Sequence, residues 1–184
     1  MIREALQNMN EAMKGLDNYA LFTSYGLSYL YKADEELAQA LDEYDTEGME
    51  SKILFVFGIK ESMYMDAVWA RKGYGPIAYM TAMEMQGTMA PNWMESQVTK
   101  QAQVVWKEFF DGKGEKFVKK ELTGVSPENY RHYWYSLKKS LKLNNNKKAD
   151  DKFIGQDKYG EKRGMMNELA EGILRQSMRG IYNF

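Results

Sequence analysis

Apolar positions along the chain change period several times, and each change marks an element. Ile2, Ala5, Leu6, Met9, Ala12, Met13 and Leu16 recur at steps of three and four, the pattern of an amphipathic helix over residues 2–15. Tyr19 to Tyr31 is dense in aromatic and β-forming residues around Gly26, and reads as one strand or as two strands and a turn. Asp34 to Tyr44 is acidic, with Leu37, Ala40 and Leu41 at helical spacing: a short helix or a structured loop. Thr46 to Ser51 is polar. Lys52 to Glu61 holds the unbroken apolar run Ile53-Leu54-Phe55-Val56-Phe57-Gly58-Ile59, expected of a strong buried strand. Tyr64 to Trp69 is a weaker extended piece, and a helix is expected from Ile77 to Met85.

Farther along, Met89-Ala90-Pro91-Asn92-Trp93 is loop-like. Ser96 suits the N-cap of a helix over Gln97 to Phe110, whose apolar positions are Val98, Ala102, Val105, Trp106 and Phe109. Lys116 to Leu122 can form a strand. Ser126-Pro127-Glu128 has the cap, proline and first-turn acid of a helix start, and Tyr130, Tyr133, Trp134, Leu137 and Leu141 follow at helical steps. Residues 144–164 are polar and glycine-bearing, which predicts a long loop. A last helix is expected over about Met165 to Met178, on Met166, Leu169, Ala170, Ile173, Leu174 and Met178.

Composition narrows the chemistry. A chain of 184 residues can bury the core of one domain. No window is apolar for long enough to span a bilayer, and the N-terminus lacks a secretory pattern, so neither a membrane nor signal-peptide export is expected. Cysteine is absent, which removes thiol nucleophiles, disulfides and cysteine metal sites. The single histidine, His132, sits between Arg131 and Tyr133 and suits surface or packing better than a triad. No metal site is expected: Asp150, Asp151 and Asp157 match no calcium-loop spacing. The net charge of −1 hides an asymmetry. Residues 1–111 carry 9 Lys+Arg against 17 Asp+Glu, and residues 112–184 carry 16 against 9. A basic region beside an acidic body suits nucleic acid, an acidic partner, or the acidic half of a neighbouring copy. Tyr130, Tyr133, Trp134 and Tyr135 beside Lys138, Lys139 and Lys142 fit either base stacking or a helix with a wet basic face. The methionines between Met63 and Met94 fit an irregular core or an adaptable surface.

Between the extended run and the Ile77 helix lies Trp69-Ala70-Arg71-Lys72-Gly73-Tyr74-Gly75-Pro76. A glycine turn leading into a helix exposes main-chain N–H groups at the positive end of the helix dipole, where a phosphate or pyrophosphate can sit. Pro76 fits the first helical turn, where an N–H would lack a partner anyway.

The block Trp69 to Glu84, then Met89-Ala-Pro91-Asn-Trp, then Val98-Thr99-Lys-Gln-Ala102-Gln-Val-Val-Trp106, resembles GNAT-like acetyltransferase proteins encoded by tailed bacteriophages. Those proteins tend to show a "GxGPLLY-x-x-AM" helix start, a "TPDR" loop and an "S-x-x-A-x-x-VW" helix at this spacing. The resemblance covers roughly residues 52–110. It implies an α+β fold with a mixed, mostly antiparallel sheet, helices on both faces and the glycine turn at a splay between two strands. The expected organisation is a GNAT-like core over 1–124 and a helical C-terminal extension over 125–184.

The resemblance further implies that main-chain N–H groups of Arg71, Lys72, Gly73, Tyr74 and Gly75 bind acetyl-CoA. Two departures stand out. The family's Arg/Gln at the start of the turn falls on Ala70, with Arg71 one place late. The tyrosine that protonates the leaving thiolate falls on Trp106, and indole cannot do this work. Glu61 and Asp66 are the candidate bases. The expectation is a phage protein that is non-catalytic or weakly catalytic and acts through protein–protein contact or virion assembly. Its partner would be another phage or host protein reached through 125–184, and its place the host cytoplasm or the virion. The alternatives are an N-acetyltransferase acting on an amine and a nucleic-acid-binding accessory protein using the basic C-terminal region.

Overall fold

The computed structural model describes residues 18–24, 26–59, 65–91, 98–111, 117–121, 129–155, 157 and 160–182. The helix expected over 2–15, the Ser96 cap, the Ser126-Pro127-Glu128 start and Glu61 lie outside them.

The chain is α+β. Strands β1 (Tyr19–Ser24), β2 (Leu27–Lys32), β3 (Ile53–Ile59) and β4 (Met65–Ala70) form an antiparallel meander in the order β1-β2-β3-β4. The β1–β2 hairpin closes with Ser24 opposite Leu27. So tight a connection needs a residue at positive φ, and Gly26 supplies it at 85°. Two helices, α1 (Glu35–Asp42) and α2 (Thr46–Lys52), fill the link between β2 and β3. Each starts on an aspartate cap: Asp34 accepts from the Leu37 N–H, and Asp45 from the Gly48 N–H. The polar stretch 46–51 is therefore helical, and Met49 is its buried apolar residue.

Strand β3 is buried along its whole length because both faces of the sheet are covered. On one face Leu54, Phe55, Phe57 and Ile59 pack with α3 (Gly75–Gln86) and α4 (Lys100–Phe110). On the other, Ile53 and Val56 pack with α1, α2, α5 (Asn144–Phe153) and α6 (Glu161–Tyr182). Helix α3 is buried from Ile77 to Met83, and Gly87 ends it at φ 80°.

A second ladder pairs β5 (Phe117–Glu121) with β6 (Tyr133–Leu137), also antiparallel. Met89 joins it: its N–H donates to the Tyr135 carbonyl at 2.8 Å, and the Tyr135 N–H donates back at 2.7 Å. The segment 130–141 is thus not the helix its spacing predicts. It opens with a single 3-10 turn (Tyr130–His132) and continues as β6, with Tyr133 and Tyr135 buried. Pairing with β5 and with Met89 outweighs the local helical pattern. The β5–β6 ladder also spans the expected division at 124/125.

The loop expected over 144–164 contains helix α5. The residues it buries include the polar Asn146 and Asp150, so no apolar stripe announces it. Helix α6 starts at Glu161 and buries Met166, Ala170 and Ile173 against the sheet. No helix among the described residues is long and apolar enough to cross a membrane.

Candidate anion-binding turn

Strand β4 is an edge strand of the meander, and it is bulged. Gly58 pairs with Ala67 and Ile59 with Met65, which leaves Asp66 as the extra residue. Bulges bend an edge and interrupt its pairing. The candidate base Asp66 is placed at this bulge.

From the end of β4 the chain makes a turn held by two main-chain bonds. Arg71 N–H donates to the Leu54 carbonyl and Tyr74 N–H to the Arg71 carbonyl, each at 2.9 Å. Those two N–H groups are committed to the fold, so of the five expected donors Lys72, Gly73 and Gly75 remain. Their N–H groups bond to no described residue. No side chain caps α3, and its first helical bond is Ala78 N–H to the Tyr74 carbonyl. Gly73 takes φ 91°, and a Cβ built on Gly73 or on Gly75 meets nothing within 4 Å. The Lys72 side chain is exposed. The turn thus combines an uncapped helix start, three unspent donors, open space and one exposed cation, the features by which a helix N-terminus attracts phosphate oxygens.

Arg71 serves the scaffold instead. Its Nε donates to the Ile53 carbonyl at 2.8 Å and its Nη2 to the Glu50 carbonyl at 3.0 Å. These are carbonyls at the C-terminus of α2, where a cation is favoured. Its guanidinium also lies 5.5 Å from the Trp69 ring centroid. Tyr74 is half-buried. Burial, then the charge interaction and hydrogen bond with the Tyr19 phenol, raises its pKa, and Lys32 opposes the rise.

Trp106 is 1% exposed and sits among aromatic rings. Its centroid is 5.1 Å from Tyr79, 5.6 Å from Phe109 and 5.2 Å from Tyr135. Burial pushes the Tyr79 phenol well above its ordinary pKa. Tyr135 is raised in the same way, and its hydroxyl donates to the Tyr130 carbonyl at 2.7 Å. These phenols hold their protons tightly, so the cluster offers packing and no ready proton donor.

The most densely bonded polar group lies on the opposite face and has no signature in the local sequence. Asp150 of α5 accepts from the Tyr31 hydroxyl at 2.8 Å and from Arg163 Nη2 at 2.6 Å. Arg163 Nη1 donates to the Tyr29 hydroxyl, which donates to Asn167 Oδ1, both at 2.8 Å. The guanidinium lies 4.1 Å from the Phe22 ring centroid. Burial, only partly offset by Arg163, pushes the Tyr29 phenol up to about 12. Every polar group here has a partner, so the network fastens α5 and α6 to the hairpin.

No family profile, no curated protein and no solved structure matches this chain.

Proposed function

We propose that the chain is a GNAT-like protein of the tailed-phage kind, that the turn at 72–75 holds the pyrophosphate of acetyl-CoA or CoA, and that acetyl transfer is slow or absent. On this reading its work is done through contact with other protein chains. The observation that carries the proposal is the uncapped start of α3 beside an open glycine turn at the end of a bulged edge strand. The path of the chain supports it. A four-stranded antiparallel meander leads into this helix, the helix ends at Gly87, and Met89 just beyond it pairs with β6 of the second ladder. The low catalytic power follows from Trp106, whose indole is sealed among Tyr79, Phe109 and Tyr135 where a proton donor would be needed.

Calorimetric titration with acetyl-CoA, beside a transfer assay on amine acceptors, tests the reading. Saturable binding with turnover no faster than the uncatalysed background is expected. Fast turnover would favour the N-acetyltransferase reading, and absence of binding removes both.

A further inference from the structure

The charge asymmetry of the sequence resolves into two exposed segments of opposite sign. Residues 34–50, which hold α1, most of α2 and their N-caps, carry eight carboxylates and no lysine or arginine; Lys52 ends α2. Glu35, Glu36, Glu43, Glu47 and Glu50 are exposed, since Leu37, Ala40, Leu41 and Met49 take the inward positions. Between the two helices runs an open cleft of about 250 Å3 lined by Glu36, Glu43 and Asp45 among others. Lys52 is the cation of that cleft, and its ammonium is already engaged by Asp34 and Glu36.

The opposite charge is concentrated in residues 138–149. This segment contains five lysines and no acid. Lys138, Lys139, Lys142, Lys147 and Lys148 are all exposed, and none pairs with a carboxylate among the described residues. The segment is fixed in place. Glu84 accepts from Ser140 Oγ and from the Leu141 N–H, Lys142 adopts φ 57°, and α5 carries Lys147 and Lys148. Glu84 is thereby spent on main-chain and hydroxyl donors.

We infer that the lysine segment 138–148 of one molecule docks on the acidic α1–α2 face of a second copy. The inference gives the protein-contact part of the proposed function a partner, and rests on that reading only there. A second copy fits better than nucleic acid, because the eight carboxylates of residues 34–50 would repel a phosphate backbone while a second copy presents the matching acidic surface. The cleft is open and lined by carboxylates, the chemistry that receives a lysine ammonium. The two surfaces differ from each other, so the contact is heterologous and repeats head to tail unless the rotation closes a ring.

Sedimentation velocity on the full chain tests this, with a calorimetric CoA titration on the same samples as a separate readout for the turn. Association should weaken by about tenfold or more between about 50 mM and 500 mM salt. The variant Lys138→Glu/Lys139→Glu/Lys147→Glu/Lys148→Glu and the variant Glu43→Lys/Glu47→Lys/Glu50→Lys should each be monomeric alone and should associate when mixed. All seven positions are exposed, and far-UV circular dichroism verifies that both variants fold. A wild-type monomer at low salt overturns the inference, as does association that survives either reversal or a mixture that stays monomeric. Binding of a DNA duplex by the lysine segment without self-association overturns it in favour of the nucleic-acid reading.

Discussion

Arg163 Nη2 lies 2.6 Å from Asp150 Oδ2, and this pair joins the last helix to α5 against the β1–β2 hairpin. Both side chains are largely buried, at 17% and 8% exposure. Removing one partner leaves the other charge desolvated and uncompensated. Asp150→Ala is expected to lower the unfolding free energy by about 3–5 kcal/mol. The double change Asp150→Leu/Arg163→Met should recover most of that loss, because no charge is then stranded. Urea denaturation of the wild type and the two variants checks both statements.

The same network sets an alkaline limit. The Tyr29 phenol is raised by burial, to about 12 in the folded protein against an ordinary value of 10.0. A raised value means that the folded state holds the proton more tightly. The stability it contributes is whole below about pH 10 and is lost as pH climbs toward about 12. Tyr29→Phe should flatten the stability curve in that window, as measured by urea midpoints across alkaline pH.

Lys52 carries a second, more exposed cluster. Burial alone would lower its pKa, but the hydrogen bonds it donates to Asp34 and Glu36 raise it. Burial would raise Asp34, but Lys52 and the Leu37 N–H hold it below its ordinary value. The contribution from Asp34 is therefore present above about pH 4 and lost below it, and that from Lys52 is present below about pH 10 and lost above it. Glu36 is 82% exposed, so solvent screens its share. Lys52→Met should cost about 1 kcal/mol at neutral pH and weaken the acid dependence. Thermal melts from acid to alkaline pH read both effects.

On the proposed reading Trp106 stands where a phenol would be wanted for chemistry, yet replacing it should not create an enzyme. At 1% exposure among three rings, Trp106→Tyr trades indole contacts for a void and a buried hydroxyl. A loss of about 2–3 kcal/mol and no gain in acetyl transfer are expected, read by denaturation and by a transfer assay.

What was legible in the sequence depended on where each element finds its partners. Strand β3 announces itself because both of its faces meet apolar side chains, and the hairpin because Gly26 punctuates it. Helix α6 shows the three-and-four spacing of Met166, Leu169, Ala170 and Ile173. Strand β6 was misread because Tyr130, Tyr133, Trp134, Leu137 and Leu141 satisfy a helical period, while the alternation of Tyr133 and Tyr135 is too short to compete. Helix α5 was misread for a different reason. Its inward residues include Asn146 and Asp150, whose partners lie on other elements: the Tyr19 carbonyl for Asn146 Nδ2, and Tyr31 and Arg163 for Asp150.

The glycine turn was legible as a turn at a helix start, since Gly73, Gly75 and Pro76 are local signals. That two of its five expected donors are spent was not legible. The Arg71 N–H reaches the Leu54 carbonyl on the neighbouring strand, and its side chain reaches α2. The signals for α2 were present in Asp45 and Thr46, a cap and a helix start, but a single buried Met49 gives no stripe.

The most direct test of the account is a calorimetric titration of acetyl-CoA into the wild-type chain and into Gly73→Val, whose residue 73 would be forced to a φ of 91°. The account predicts saturable binding at or below about 1 mM for the wild type and at least about tenfold weaker binding for the variant. No heat of binding at that concentration, or equal affinity in both proteins, would contradict it.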